Sequence, residues 1–473
     1  MLREKRKWRP HERESTDARH RGGAARSSVE VSVMEMEPRG CIVRFSSEGS
    51  TGDGRNLLVK AKPFSISKRK VWEAYKRVKS NQGAAGVDGQ SIEEFEKDIE
   101  NNLYKLWNRM SSGSYFPSAV RRVEIPKSNG GKRPLGIPTV ADRIAQMVVK
   151  QCLEPEMDKH FHPDSYGYRP GKSALEAVGV TRQRCWQYDW VLDMDIKGFF
   201  DNIDHELLMR AVKKHTDCKW IKLYVERWLK APVKQPDGTL SVPEKGTPQG
   251  GVISPLLANL FLHYAFDTWM ERKCASIPFE RYADDVICHC KSETQAKWLL
   301  VSITRRLKDC KLELNLEKTR IVYCKDSRRK GDYPKVQFDF LGYSFQPREV
   351  KARNGDIFVG FAPAISNKAA KAIRDEIRGW KLHMRSETSL EDISRFYNPK
   401  IRGWVNYYGR YYRSKLYSAL NPINLILKRW AMRKYKKLKG RHRRANRWID
   451  RIRKQSPYLF VHWQLARELM AGR

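Results

Sequence analysis

From residue 68 onward apolar residues recur every three to four positions, so that Val71, Trp72, Tyr75 and Val78 fall on one helical face. The loop Gly83-Ala-Ala-Gly-Val-Asp-Gly89 follows. Ser91-Ile-Glu-Glu94 then has the spacing of a capping box, and the helix it opens shows Ile92, Phe95, Ile99, Leu103 and Leu106 on its apolar face. Over 120–125 the period shortens to two, which predicts a strand. Lys127-Ser-Asn-Gly-Gly-Lys132 reads as the loop turning that strand toward Arg133-Pro-Leu-Gly-Ile-Pro138. Residues 141–157 return to a helical period, with Ile144, Met147, Val148 and Cys152 aligned. A buried-type strand at Trp190-Val-Leu-Asp-Met-Asp-Ile196 precedes helices over 204–215, 219–230 and 256–270. A hairpin comes next: Ile277 and Phe279 on one side and Val286 and Ile287 on the other bracket Tyr282-Ala-Asp-Asp285, with both aspartates at the tip. This order predicts an α+β chain, an antiparallel sheet with helices on one face. Past about residue 351 the period is helical throughout, near 368–383, 390–397, 401–412 and 422–439, and predicts an all-α domain. Residues 1–60 carry no sustained period. They read as a disordered extension with at most a weak strand at 41–45.

Charge narrows the partner. The 473 residues hold 92 Lys and Arg against 54 Asp and Glu, a formal net charge of +38. That excess exceeds what solubility requires and predicts a polyanion, nucleic acid, as partner. No apolar run approaches the roughly twenty residues of a membrane-spanning helix. Nor does the N-terminus show an apolar signal segment, which points to the cytosol. The nine cysteines lack paired spacing. They read as buried thiols of a reducing compartment, with neither a disulfide framework nor a zinc site.

Two motifs carry chemistry. An Asp-Asp pair is by itself most often a solvated turn, but Asp284 and Asp285 stand between apolar strands, where paired like charges are costly without a cation. A third carboxylate lies in Asp193-Met-Asp195-Ile-Lys-Gly-Phe-Phe-Asp201, where Asp193 and Asp195 share one strand face. If that strand lies beside the hairpin, Asp195, Asp284 and Asp285 converge. Carboxylates from separate strands can hold two Mg²⁺ about 4 Å apart, the arrangement of two-metal nucleotidyl transfer. Asp193 and Glu313 read as ordinary solvated or helix-capping residues, and His289 as structural.

Asp195-Ile-Lys-Gly-Phe-Phe-Asp-Asn-Ile-Asp204 and Tyr282-Ala-Asp-Asp285 resemble motifs A and C of the reverse transcriptases encoded by group II introns. Arg133-Pro-Leu-Gly-Ile-Pro138, Ser165-Tyr-Gly-Tyr-Arg-Pro-Gly171, Gly246-Thr-Pro-Gln-Gly-Gly251, Leu314-Asn-Leu-Glu-Lys-Thr319 and Phe338-Asp-Phe-Leu-Gly-Tyr343 agree with that family. Arg402-Gly-Trp-Val-Asn-Tyr-Tyr408 resembles its maturase domain, or thumb. The resemblance spans roughly 65–460.

Behind the basic, disordered extension that composition gives over 1–62, it implies a right-hand polymerase: fingers and palm over 63–350, a helical thumb over 351–440, and a basic segment over 441–473 that could touch target DNA. It also implies roles. Asp195, Asp284 and Asp285 match metal-binding catalytic aspartates, with the Ile196 carbonyl as a further ligand. Phe200 matches the steric gate against ribonucleotides, with plain core packing as the lesser alternative. Lys127 and Arg133 match residues that clamp the dNTP triphosphate, Gln249 one that lies along the nucleotide, and Leu341-Gly342 the turn under the primer's 3′ end. Expected partners are the intron RNA, an RNA template with DNA primer, dNTPs and target DNA. A homodimer is left open. The expected place is the bacterial cytosol, at the nucleoid when the protein acts on DNA. The Cys pairs and His-Asn-His ligands of the HNH endonuclease found in many relatives are missing, so no target cleavage is expected, and insertion would proceed by reverse splicing with a primer found elsewhere. The competing readings are a splicing-only maturase and a reverse transcriptase domesticated for DNA repair or defence. Intact Asp195, Asp284 and Asp285 speak against the first, since a relic has no need to keep buried like charges.

Overall fold

The computed structural model describes residues 62–126, 131–351 and 354–471. The disorder expected before residue 62, and Lys127, lie outside the described residues.

Helix α1 (Lys68–Asn81) buries Val71, Ala74, Tyr75 and Val78, and Ser67 caps it by accepting from the Lys70 N–H. The capping box of Ser91 and Glu94 forms, but the helix it opens, α2 (Ile92–Glu96), is one turn long. A second helix, α3 (Ile99–Ser112), starts after Asp98, whose backbone leaves the helical region (φ −134°, ψ 50°) while its carboxylate accepts from Asn101. The single apolar face expected here is therefore divided between two helices. Strands β1 (Val120–Pro126) and β2 (Lys132–Ile137) form an antiparallel hairpin, and α4 (Val140–Asp158) follows behind Thr139 as N-cap. Helix α5 (Ala174–Cys185) has no clear apolar period, because Gly179 and Thr181 interrupt its stripe.

The middle of the chain runs β3 (Trp190–Met194), α6 (Phe199–Asn202), α7 (His205–His215), α8 (Lys219–Leu229), β4 (Val233–Lys234), β5 (Leu240–Ser241) and α9 (Ser254–Leu262). A turn of π-helix (His263–Asp267) interrupts what the pattern showed as one helix, which resumes as α10 (Thr268–Lys273). Then come β6 (Phe279–Tyr282), β7 (Asp285–Cys290), α11 (Glu293–Asp309), β8 (Arg320–Tyr323), β9 (Phe338–Phe340), β10 (Tyr343–Lys351) and β11 (Ile357–Ile365). Among the described residues three sheets result, in the orders β2-β1-β4-β5, β6-β7-β3-β8 and β11-β10-β9.

The second of these, the palm sheet, is covered on both faces rather than one. Leu192, Met194, Val286 and Cys288 pack into the large core that also holds Leu299 and Ile303 of α11. Val191, Ile287 and Val322 point the other way, into a separate core with Ala177 and Val178 of α5 and Phe338, Phe345 and Phe361 of the third sheet. Near-continuous apolar runs in β3 and β7 are what a doubly covered strand requires.

The helical region begins at Asn367, later than expected. Residues 357–365 instead pair with β10 from Tyr343 opposite Ile365 to Lys351 opposite Ile357. It comprises α12 (Asn367–Gly379), α13 (Leu390–Tyr408), α14 (Arg413–Leu420), α15 (Pro422–Lys434), α16 (His442–Gln455) and α17 (Val461–Ala471). α13 continues through Pro399 as one helix, where the sequence pattern predicts two pieces. The last 30 residues do not stand apart: Ile449, Phe460, Trp463 and Leu465 enter the same core as Ile377, Ile401 and Trp430. Trp404 and Tyr408 pack against it half-buried, and Trp404 stacks on Trp380 with centroids 6.0 Å apart. Among the described residues no helix is long and apolar enough to cross a membrane, and the eight described cysteines are all unpaired.

Candidate active site

The hairpin β6–β7 closes with Tyr282 opposite Asp285, leaving Ala283 and Asp284 at the turn. Ala283 adopts φ +58°, a region that favours glycine and costs a residue with a side chain on the order of 1–3 kcal/mol. The surroundings enforce it. Arg281 is fully buried and grips Asp267 with two bonds, Nε to Oδ1 at 2.7 Å and an Nη to Oδ2 at 2.6 Å. Its other Nη donates to Asn259 Oδ1 at 2.9 Å and to the Ala283 carbonyl at 3.2 Å. Asn259 in turn donates to the Gly167 carbonyl at 2.6 Å. Gly167 lies flush on the turn: a Cβ there would come within 2.4 Å of the Ala283 nitrogen. Asp267, which anchors the network, is the last residue of the π-helical turn.

On the neighbouring strand Met194 stands opposite Val286, so Asp195 emerges from the end of β3 beside Asp285. It is held from the far side by the segment after α11. Asn315 N–H donates to the Asp195 carbonyl, while Asn315 Nδ2 (3.1 Å) and Lys318 Nζ (3.0 Å) donate to Asp195 Oδ2. Ile196 is buried and bridges Leu314. The bonds of this bridge use Asp195 O and Lys197 N–H, not the Ile196 carbonyl.

These groups share a cleft of about 790 Å³ lined by Arg133, Asp193, Asp195, Asp285, Lys318, Arg320 and Lys368, among others. The carboxylates feel one another. Desolvation raises the Asp284 carboxyl, and Asp195 adds to the rise while Arg133 and Lys318 oppose it. Asp285 opens to the cleft on one side with protein around the rest. Desolvation first, then Asp284 and Asp195, push its carboxyl up to about 6. Asp193 departs from the sequence reading. It is neither a cap nor a solvated residue but part of the cleft wall, where desolvation and Asp285 push its carboxyl up to about 7 against the pull of Arg320.

Among the described residues no group of three or more His, Cys, Asp or Glu side chains is drawn close enough to hold a metal as it stands. The Lys318 ammonium pairs with Asp195 at 3.0 Å. The donor set is nonetheless all carboxylate oxygen with a backbone carbonyl nearby, which suits a hard divalent cation.

The fingers touch this cleft through β2. Arg133 Nε donates to Gln249 Oε1 at 2.7 Å, and Gly136 N–H donates to the Gln249 carbonyl at 2.7 Å. Gly250 (φ +117°) backs onto the Gly136 carbonyl so closely that a Cβ would sit 2.5 Å from it. Phe200 is almost wholly buried against Phe199, its carbonyl accepting from the Thr247 N–H. Leu341 and Gly342 form the β9–β10 turn at φ +50° and +79°, and the Tyr407 hydroxyl of the thumb donates to the Leu341 carbonyl at 2.8 Å. Glu313 pairs with Lys197 at the surface. His289 is buried away from the cleft, bonded to Glu280.

Comparison with known proteins bears on the same regions. Residues 125–345 match the family described as reverse transcriptase (RNA-dependent DNA polymerase), and residues 370–449 match the group II intron maturase-specific domain. Protein YkfC of Escherichia coli (strain K12) is 32% identical over 367 residues, covering 67% of this chain and 90% of that protein. The group II intron-encoded protein LtrA of Lactococcus lactis is 27% identical over 483 residues, covering 82% and 76%. The chain belongs to the group II intron reverse transcriptases and maturases. A putative COX1/OXI3 intron 1 protein of Saccharomyces cerevisiae is 32% identical over 198 residues, covering 42% of this chain and 24% of that one.

This reverse transcriptase carries site partners that sequence reasoning passed over. Lys318 and Asn315 lie in a block already noted for its likeness to the family, but their bonds to Asp195 span more than 100 residues and leave no periodic trace. Arg281, one residue before the Tyr282 motif, would read from sequence as a surface charge. On the thumb, 19 Lys and Arg stand against one acid, Asp450, between 400 and 454. Arg429, Arg433, Lys436, Lys437, Arg443, Arg444, Arg447 and Arg451 are exposed, and among the described residues none of these pairs with a carboxylate.

Proposed function

We propose that this intron-encoded reverse transcriptase copies RNA into DNA by two-metal nucleotidyl transfer at Asp195, Asp284 and Asp285, with the Ile196 carbonyl as a further ligand. The observation that carries the reading is geometric: Asp195 at the end of β3 and Asp285 at the start of neighbouring β7 line one cleft with Arg133 and Lys318, and Asp284 stands on the adjoining turn. When bound, two Mg²⁺ would activate the primer's 3′-hydroxyl and stabilise the departing pyrophosphate. The chain does the rest. Arg133, joined by Lys127, receives the triphosphate, and its present bond to Gln249 keeps the guanidinium aimed across the nucleotide position. Gln249 then lies along the sugar, and the rigidly packed Phe200 leaves no room for a 2′-hydroxyl. Lys318 positions the Asp195 carboxylate through its ammonium. The turn at Leu341-Gly342 supports the primer end and is tied to the thumb by Tyr407.

The exposed cations of α15 and α16 take the phosphates of the folded intron RNA, so that splicing is assisted by the same body that copies the RNA. The outer end of α16 is the part proposed to reach target DNA. Asp284→Asn should abolish dTTP incorporation on poly(rA)/oligo(dT) while RNA affinity stays within about twofold of wild type. Polymerisation by that variant at a sizeable fraction of the wild-type rate would refute the metal assignment.

A further inference from the structure

One side chain at the rim of the catalytic turn is used by none of this. Tyr168 adopts φ +57°, where a bulky residue is a genuine outlier, and the residue is 52% exposed. Such strain survives only where the surroundings over-determine it. Here they do. The Gly167 carbonyl is held by Asn259, and the Tyr166 N–H donates to the Arg281 carbonyl at 2.8 Å. Arg169 then locks the following turn through Asp158 and the carbonyls of His162 and Ser165. The loop could satisfy every one of these bonds with glycine at 168, and without strain. Half in solvent, the ring does not recover the strain by burial. The exposed half of the ring is left for a partner outside the chain.

Its position says from what. The ring stands 6.2 Å from Tyr282, on the turn that carries Asp284, and its hydroxyl feels the charges of Asp284, Asp285 and Arg133. Tyr282 in turn interacts with Tyr407, whose hydroxyl holds the Leu341 carbonyl. Aromatic rings thus run from Tyr168 past the catalytic turn toward the turn proposed to lie beneath the primer. We propose that Tyr168 contacts the primer strand, its ring lying against the nucleotide whose 3′-hydroxyl is presented to Asp284. The inference rests on the polymerase reading above. An aromatic face serves any base, as sequence-independent copying requires.

The test compares Tyr168→Gly and Tyr168→Phe with wild type on poly(rA)/oligo(dT), and Asp284→Asn reports separately on the parent reading. Tyr168→Gly should melt no lower than wild type, because glycine takes this backbone freely. It should raise the KM for primer–template about tenfold, the scale of one base–aromatic contact, and shorten products made under a heparin trap. The KM for dTTP and the affinity for unprimed poly(rA) should stay within about twofold, and Tyr168→Phe should behave as wild type. An unchanged primer–template KM in Tyr168→Gly overturns the proposal, and so does a markedly lower melting temperature, which would make the ring a structural support. A rise confined to the dTTP KM, or an equal loss of unprimed poly(rA) binding, overturns the primer assignment. If Asp284→Asn itself polymerises, the fault lies with the parent reading.

Discussion

Phe200 shows how one side chain can satisfy two demands. Its ring is in the core beside Phe199, and its backbone is bonded to Thr247 in the loop that also delivers Gln249. A gate must not yield, and a ring fixed by packing on one side can exclude a hydroxyl on the other. Phe200→Ala should therefore raise ribonucleotide incorporation relative to dNTPs by at least about tenfold, because steric exclusion is lost. It should also cost roughly 3–5 kcal/mol of stability through the cavity left behind. Competition between rGTP and dGTP on poly(rC)/oligo(dG) reads the first effect and thermal melting the second. Unchanged sugar discrimination with lowered stability would leave Phe200 a packing residue only.

At the level of elements, the feature with the widest reach is the π-helical turn His263–Asp267. One extra residue in that turn rotates Asp267 into the core, where it meets Arg281, and through Arg281 the helix holds the carbonyl of strained Ala283. A buried ion pair does not repay its desolvation generously, but removing one partner leaves the other charged and dry. Arg281→Ala should lower stability by about 3–5 kcal/mol. Asp267→Asn, which leaves a polar partner in place, should lower it less. Urea unfolding measures both. Equal stability of Arg281→Ala and wild type would show that the turn is held by Gly167 and the strand pairing alone.

For the whole molecule, charge decides. A net +38 is spread unevenly, and the thumb helices carry a strongly basic face, with Asp450 the one acid against 19 Lys and Arg between residues 400 and 454. Such a face repels itself until phosphates neutralise it. Affinity for a structured RNA should therefore fall roughly a thousandfold between about 50 and about 200 mM salt. Filter binding across a salt series measures the slope, and a flat line would remove the thumb face from RNA recognition. Replacing Arg443, Arg447 and Arg451 together by Gln should shallow the slope by about three, one for each phosphate no longer neutralised.

The sequence alone determined what local chemistry controls. Periods of two and 3.6 located α1, β1, α4, β3 and the β6–β7 hairpin, since an amphipathic element must turn its apolar residues to one side. The order of motifs around Asp195 and Asp284 pointed to the family, and the charge balance pointed to nucleic acid. Elements without a clean period were not legible. The apolar stripe of α5 is broken by Gly179 and Thr181, and β11 lies wholly beyond the expected start of the helical region, where only its pairing with β10 reveals it as a strand. The π-helical turn hides inside an apolar stripe because one inserted residue shifts the phase without changing composition. Tertiary structure alone decided the bonds between distant segments: Lys318 on Asp195, Arg281 on Asp267, Gln249 on Arg133, Tyr407 on Leu341. The physical reason is common to all four. A hydrogen bond is specified by where two atoms meet in space, and the sequence records only that each is polar.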